Sequence, residues 1–407
     1  MSVAEAAQPV VQESRRRAGL LLFILGALSA IGPLSIDMYL PALPAITEEM
    51  LSVPAQVQLT LTACLVGVSV GQVVAGPLSD VRGRRVPLIV GVGGFMVASL
   101  LCAFAPSVPV LIALRLVQGM LGGAALVIVR AVVRDLYDGA AIARIFASLM
   151  LVSGLAPILA PIAGAQLLEF TSWRGVFVAL SLAGLVLMLA VLAGVRETLP
   201  ADQRESGGFR HTLRSFRRLL RDRPFMGCAL TAGLAFGAMF AYISGSPFVL
   251  QDVYGASPQQ YSLIFGLNAF GLIAMSQVGG RLAGRVPQVR LILAGLGVAL
   301  AGGALLLLAV VIGLGLTGVV AGLFVIMCGQ GLILPGTGAL ALAGQPPQVA
   351  GAASALLGVL QFALGAVAAP FVGLFGADTA LPMAVVMTGL FACSAVVFAI
   401  MAPKSVR

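Results

Sequence analysis

Residues 19–44 read GLLLFILGALSAIGPLSIDMYLPALP. This apolar run is long enough to cross a bilayer core of about 30 Å as a helix, and its one ionisable side chain is Asp37. An acid inside such a span costs about 2.5–3.5 kcal/mol on insertion scales, so we expect Asp37 to face protein or a wet cavity and to have a function. A second interpretation stays open, because an acid near the end of a span can also reach the headgroups.

The composition excludes a soluble protein. Hydrophobic residues make up 60% of the 407-residue chain and charged residues 10%, against about 25% charged in soluble domains. In a soluble protein, the net charge of +9 would favour a nucleic-acid partner. Here the arginines indicate cytoplasmic loops, and we expect no nucleic-acid partner. The cysteines lie in apolar runs without metal-ligand spacing, and His211, in a polar segment, is the only histidine. We therefore expect no metal, no cofactor and no histidine-based catalytic centre.

Apolar runs of about 20 residues predict an all-α membrane protein with twelve transmembrane helices. The predicted spans are 19–41, 55–77, 86–105, 108–130, 145–168, 174–195, 224–247, 258–280, 289–311, 314–338, 350–374 and 379–401.

The one long polar segment divides these spans into two sets of six, as in the parallel repeat of one large transporter class. The predicted units are a tail at 1–18, six-helix bundles at 19–195 and 224–401, a basic linker at 196–223 and a tail at 402–407. In the linker, apolar residues recur among arginines, which predicts an amphipathic helix on the inner leaflet.

The basic residues predict the orientation. If both termini are cytoplasmic, every lysine and arginine except Arg115 and Arg174 falls on the cytoplasmic side, as the positive-inside rule expects.

Arg115 is the second charge inside a span. Counting 1.5 Å per residue, Arg115 and Asp37 lie at a similar depth, roughly 6–10 Å from the outer face. We expect the two to be paired or joined through a network, because buried charges need compensation. Such an arrangement suits proton coupling, while a static structural ion pair is the alternative.

Residues 76–85, GPLSDVRGRR, form a short charged loop between the second and third spans. Asp80 ends one helix, and Arg84 and Arg85 begin the next, so we expect a charge network that can hold one arrangement of the bundles. Gly76 and Arg82 complete the predicted gating loop.

This loop resembles the signature loop of the major facilitator superfamily, with Val81 where the family usually has a basic residue and Arg82 one place later. Residues 115–122, RLVQGMLG, resemble the fourth-helix motif that the family links to proton transfer. Residues 156–164, APILAPIAG, resemble the fifth-helix motif of its drug/proton antiporters. The resemblance implies gating roles for Pro157, Pro161 and Gly164, whose bends and close packing have a physical basis.

A closer resemblance is to the twelve-helix bicyclomycin/chloramphenicol resistance branch of that superfamily. It lies in residues 36–44 (IDMYLPALP), Arg130, residues 134–137 (RDLY), residues 173–174 (WR) and residues 197–199 (ETL). The resemblance implies a monomer in the bacterial inner membrane that exports small, partly hydrophobic drugs in exchange for protons, its coupling ion.

A substrate cavity is expected near the midplane between the bundles. The candidates are polar or aromatic residues inside spans: Tyr39, Gln118, Phe236, Phe240, Tyr242, Asn268, Gln330, Gln361 and Phe362. A phenylalanine here is more often core or lipid-facing, whereas a buried amide needs a partner.

The leading hypothesis is efflux of chloramphenicol-, florfenicol- or bicyclomycin-like antibiotics by alternating access, with Asp37 and Arg115 in proton coupling. An exporter of an endogenous metabolite is the alternative within transport. An intramembrane enzyme is disfavoured, because Asp37 and Arg115 form neither a nucleophile nor a metal site.

Overall fold

A computed structural model describes residues 15–137, 140–204, 216–374 and 379–401, and these residues are almost entirely helical. The first set of helices is α1 (Arg15–Asp37), α2 (Leu43–Glu49), α3 (Pro54–Arg82), α4 (Arg85–Ala103), α5 (Val108–Leu136), α6 (Ala140–Leu168) and α7 (Trp173–Gly194). The second set is α8 (Arg223–Phe248), α9 (Pro258–Leu282), α10 (Gln288–Val311), α11 (Gly315–Ala343), α12 (Pro347–Leu374) and α13 (Leu381–Met401).

Within the described residues, eleven helical segments are long and apolar enough to cross a membrane, and α6 adds the shorter apolar stretch Val152–Leu168. The prediction of an all-helical membrane protein is therefore confirmed. The predicted amphipathic helix of the linker falls largely on residues 205–215, outside the described residues.

Several helix ends differ from the predicted spans. Helix α3 continues to Arg82 and α5 to Leu136, because a helix does not stop where the bilayer does and polar residues extend it into water. Helix α1 ends earlier, at Asp37. A 3₁₀ turn at Leu40–Ala42 and α2 follow it, and the hydropathy pattern did not predict this break.

Helices α3 and α5 cross at close range through small residues. A Cβ atom on Gly67 or Gly71 of α3 would collide with the α5 backbone at Leu116 or Met120. Reciprocally, Gly119 and Gly123 of α5 face the α3 backbone. Each helix thus presents a glycine pair four residues apart, which allows the backbones to approach in the manner of small-residue crossings in membranes.

Among the described residues, five hydrogen bonds from side chains join the first set of helices to the second, and they lie toward one end of the bundle. Gln58 Nε2 donates to the carbonyl of Ser244 at 3.1 Å, and Thr62 Oγ1 donates to that of Ala366 at 3.3 Å. We call this the Glu49 end, and the opposite end, which carries the α3–α4 loop, the Arg84 end. At the Arg84 end, no hydrogen bond between described side chains joins the two sets.

Replacement of Gly71 by alanine should destabilise the α3–α5 crossing by about 1–3 kcal/mol, the usual cost of overpacking. The measurement is thermal unfolding of the detergent-solubilised protein, followed by helical circular dichroism. The matched control is Gly297→Ala in α10, where an added Cβ meets nothing within 4 Å. An equal melting temperature for Gly71→Ala and Gly297→Ala would contradict the close crossing.

Candidate functional site

A cavity of about 340 Å³ lies between the two sets of helices. Its walls come from α1, α3, α5 and α6 on one side and from α8, α9, α11 and α12 on the other. The lining is apolar apart from Asp37, Ser153 and Tyr242. The remaining lining residues are Gly32, Pro33, Ile36, Val68, Leu126, Gly154, Pro157, Phe236, Met239, Phe240, Ile243, Phe265, Ala269, Leu272, Ile273, Met327, Leu334 and Phe362.

Asp37 lines this cavity from the last position of α1. It is 5% exposed, so it reaches neither lipid nor the outer headgroups. Among the described residues, no hydrogen bond or ion pair joins its carboxylate to another side chain. The expectation of a protein-lined position is therefore met, with the carboxylate uncompensated.

The expected pairing of Asp37 with Arg115 is wrong. Arg115 is fully buried inside the first set, where its guanidinium lies 4.4 Å from the ring centroid of Tyr39 and 5.7 Å from that of Phe177. Its Nη1 donates to Gln118 Oε1 at 2.5 Å. Aromatic faces stabilise a weakly hydrated guanidinium in place of a carboxylate. Depth along a helix follows from residue counting, but the direction of a side chain around the axis does not.

The aromatic candidates of the second set line the cavity as expected. Phe236 lies 4.9 Å from Phe240 and 5.3 Å from Phe362, measured between ring centroids. Tyr242 stacks on Phe265 at 5.5 Å. Phe265 and the lining methionines were not predicted, because nothing in the sequence separates an apolar residue that faces a cavity from one that faces a neighbouring helix.

The other predicted cavity residues do not line it. Tyr39 donates or accepts a 2.7 Å hydrogen bond with Thr60, and Gln118 donates to Ser99 at 2.7 Å, both inside the first set. Gln330 donates to the carbonyl of Ala235 at 3.0 Å, which ties α11 to α8. Gln361 is half-buried outside the lining. Tyr39, Gln118 and Gln330 each have their hydrogen-bond partner within their own set of helices, so the need for a partner did not point to a ligand.

Asn268 does not line the cavity but contacts a residue that does. Its Nδ2 donates to the Tyr242 hydroxyl at 2.9 Å. The amide therefore holds the orientation of the one phenol that lines the cavity, and it leaves the hydroxyl proton of Tyr242 free to donate elsewhere.

The charged loop forms a network around Arg84 at the Arg84 end. The guanidinium contacts Asp80 at 2.5 Å, Asp135 at 2.9 Å and Ser79 Oγ at 2.8 Å. The network thus joins α3 to the end of α5. Arg85 donates to the carbonyl of Leu192 at 3.2 Å. Arg82 is exposed and makes none of the ion pairs found in the described residues, so it does not take part as expected.

Glu197, a residue absent from the predicted site, completes this network from the linker. Its carboxylate accepts from the backbone N–H of Arg84 at 2.7 Å and of Arg85 at 3.2 Å, and also from those of Thr198 and Leu199. Burial alone would raise the pKa of Glu197, but these four donors hold it below its ordinary value. Gly83 has φ +87°, and a Cβ there would collide with the Glu197 carboxylate.

The remaining predicted gating residues lie at contacts between helices. Pro157 lines the cavity, and the Pro161 carbonyl accepts from Ser262 Oγ of α9 at 2.9 Å. Gly164 lies against the carbonyl of Met38, the residue after Asp37, and leaves no room for a side chain. Gly76 packs on Val127 of α5. These contacts place the predicted residues at helix interfaces, while their gating role stays a prediction.

The sequence of this chain is similar to those of known bacterial proteins. The chain is 41% identical over 369 residues to the uncharacterized MFS-type transporter YdgK of Bacillus subtilis (strain 168), covering 90% of this chain and 91% of that protein. It is 29% identical over 388 residues to the bicyclomycin resistance protein homolog of Haemophilus influenzae, covering 95% and 97%.

The fold is similar to that of a bacterial homolog of the human lysosomal transporter Spinster, solved in an inward-facing and unoccupied conformation. The TM-score is 0.73 at 16% identity, and the match covers 96% of each chain. Residues 22–370 match the Major Facilitator Superfamily. The chain therefore belongs to the Major Facilitator Superfamily, whose members are transporters and not enzymes.

Proposed function

We propose that this protein exports small, largely apolar antibiotics, of the chloramphenicol, florfenicol or bicyclomycin kind, in exchange for protons. It does so from the bacterial inner membrane as a twelve-span carrier with both termini in the cytoplasm. The observation that carries the proposal is the carboxylate of Asp37, which has no counter-charge among the described residues and lines a largely apolar cavity between two sets of helices.

The cavity supports this substrate class by its size and its lining. At about 340 Å³ it falls at the small end of ligand pockets. The Phe236, Phe240 and Phe362 rings offer contact to an apolar body. Among the described lining residues, three side chains can form hydrogen bonds with a ligand: Asp37, Ser153 and Tyr242. A neutral drug with a few hydroxyl or amide groups matches this balance, and the name of the Haemophilus relative supports it.

Exchange requires that the proton and the drug oppose each other at one site. A deprotonated Asp37 accepts hydrogen bonds from the hydroxyl or amide donors of a drug, and bonds to a charged acceptor are about twice as strong as neutral ones. Protonation removes that charge and weakens the drug contact. Proton uptake from outside therefore favours release of the drug, and proton loss to the cytoplasm favours its capture.

The hydrogen bonds between the two sets support an inward-facing state. They lie toward the Glu49 end, which the distribution of arginines predicts to be the outer end. Transport then requires the Gln58–Ser244 and Thr62–Ala366 bonds to break while the Arg84 end closes. The intact network around Arg84 keeps α3, α5 and the start of the linker together during that movement. We assign Arg115 to the same coupling through the turn at Asp37 and Tyr39, without direct contact with the carboxylate.

Asp37→Asn should abolish drug uptake driven by a pH gradient in inverted membrane vesicles, because asparagine cannot exchange a proton. The matched control is Asp202→Asn, which removes an exposed carboxylate of the linker and should keep wild-type uptake of radiolabelled chloramphenicol. Immunoblotting of the vesicles checks that both variants insert. Normal pH-driven uptake by Asp37→Asn would remove Asp37 from the mechanism.

Phe236→Ala should weaken chloramphenicol binding by about 1–2 kcal/mol, or roughly five- to thirtyfold in Kd, because the drug loses one aromatic contact. The control is Phe270→Ala in α9, a phenylalanine that is 59% exposed outside the cavity, and its Kd should not change. Equilibrium binding to the purified proteins measures both. A Kd that Phe236→Ala leaves unaltered would place the drug elsewhere.

A further inference from the structure

The face of α5 that reaches the cavity carries two arginines beyond it. Leu126 lines the cavity, and Arg130 and Arg134 follow at intervals of four residues toward the Arg84 end. This spacing places the three side chains above one another on one side of the helix. Arg130 and Arg134 are exposed, whereas Val129 and Val132 beside them are fully buried. The arginines therefore lie on an exposed face of α5 that continues from the cavity-lining Leu126 toward the Arg84 end.

These two positive charges are uncompensated. Neither guanidinium makes an ion pair or a side-chain hydrogen bond with any residue that the structure describes. Asp135 and Asp80, two acids of this end, are both engaged by Arg84. Like charges four residues apart also disfavour a helix. The arrangement is therefore not explained by local stability.

Arg130 lies at the predicted end of the fourth span, and it also lies close to the cavity. It precedes the last residue of the helix, Leu136, by six positions, or about 9 Å at 1.5 Å per residue. Orienting arginines are expected in the loops and at the ends of spans. Arg130 fits that position, and it also lies one turn beyond the cavity-lining Leu126 toward the Arg84 end.

We infer that Arg130 is a charge filter at the mouth of the cavity, which disfavours cationic ligands and admits neutral and acidic ones. The inference rests on the proposed function in one respect, that this cavity receives the transported molecule. A cation at the mouth meets a like charge that no acid of the described residues pairs with, whereas a neutral drug of the same size is not repelled. Arg134 extends the same positive field by one turn.

Equilibrium binding of two probes to the purified protein tests the filter. The probes are tetraphenylphosphonium, an apolar cation, and chloramphenicol, a neutral molecule. Arg130→Gln should raise the affinity for tetraphenylphosphonium roughly three- to tenfold at low salt, and Arg130→Glu should raise it further. The rise should shrink at high salt. Chloramphenicol affinity should stay within about twofold of wild type in both variants.

The matched control is Arg82→Gln, which removes an exposed arginine of the same end with no ion pair among the described residues. An equal rise in Arg82→Gln would show a general surface effect and overturn the filter. Equal tetraphenylphosphonium affinity in the wild type and both Arg130 variants would also overturn the filter. Absence of tetraphenylphosphonium binding to all three proteins would overturn it as well. Loss of co-purified phosphatidylglycerol from Arg130→Gln without a change in cation affinity would assign the residue to lipid headgroups instead.

The two proposals can fail separately. If the wild type shows no pH-driven export but the cation affinities differ as expected, the proposed function is wrong and the filter stands. If export is proton-driven but the cation affinities do not differ, the filter alone is wrong.

Discussion

A carboxylate without a counter-charge, set in an apolar cavity, is the constraint on which the rest of the structure depends. Charges in low-dielectric surroundings are costly unless they are paired, and Asp37 has no such partner among the described residues. Its charged form is therefore sensitive to whatever else enters the cavity. A drug that brings hydrogen-bond donors stabilises that form, and a proton removes it. The same side chain can then respond to both ligands.

Arg115 shows the contrasting solution to the same problem. Its charge is fully buried, yet its guanidinium lies against the Tyr39 and Phe177 rings and donates a hydrogen bond to Gln118. Its Nε and Nη2 have no hydrogen-bond partner among the described residues, but the contacts that it does make lie wholly inside the first set of helices, so they do not depend on how the two sets are arranged. Asp37, in contrast, faces groups from both sets, and its surroundings change when they move. We therefore regard Asp37 as the side chain whose charge changes during transport and Arg115 as the side chain whose charge stays the same.

Sequence patterns predicted the helices well and the site in part. Hydropathy placed the spans because a bilayer requires about 20 apolar residues, but it could not show that α1 stops at Asp37 or that α5 continues to Leu136. The rule that intramembrane acids face protein placed Asp37 correctly. The search for buried amides did not find a lining residue, because Gln330 Nε2 donates to the Ala235 carbonyl within its own set and the side chain does not line the cavity. Side-chain direction around a helix, which decides what lines a cavity, depends on packing that one sequence does not reveal.

The central claim is that the proton and the drug compete through Asp37. Because linkage is reciprocal, a proton that weakens drug binding must itself be displaced when the drug binds. The direct measurement is proton release into a weakly buffered detergent solution, read with an indicator dye, when chloramphenicol is added to the purified protein across a range of pH. The account predicts release of up to about one proton per drug bound at some pH by the wild type, and none by the asparagine variant. No release at any pH, or equal release by both proteins, would contradict it.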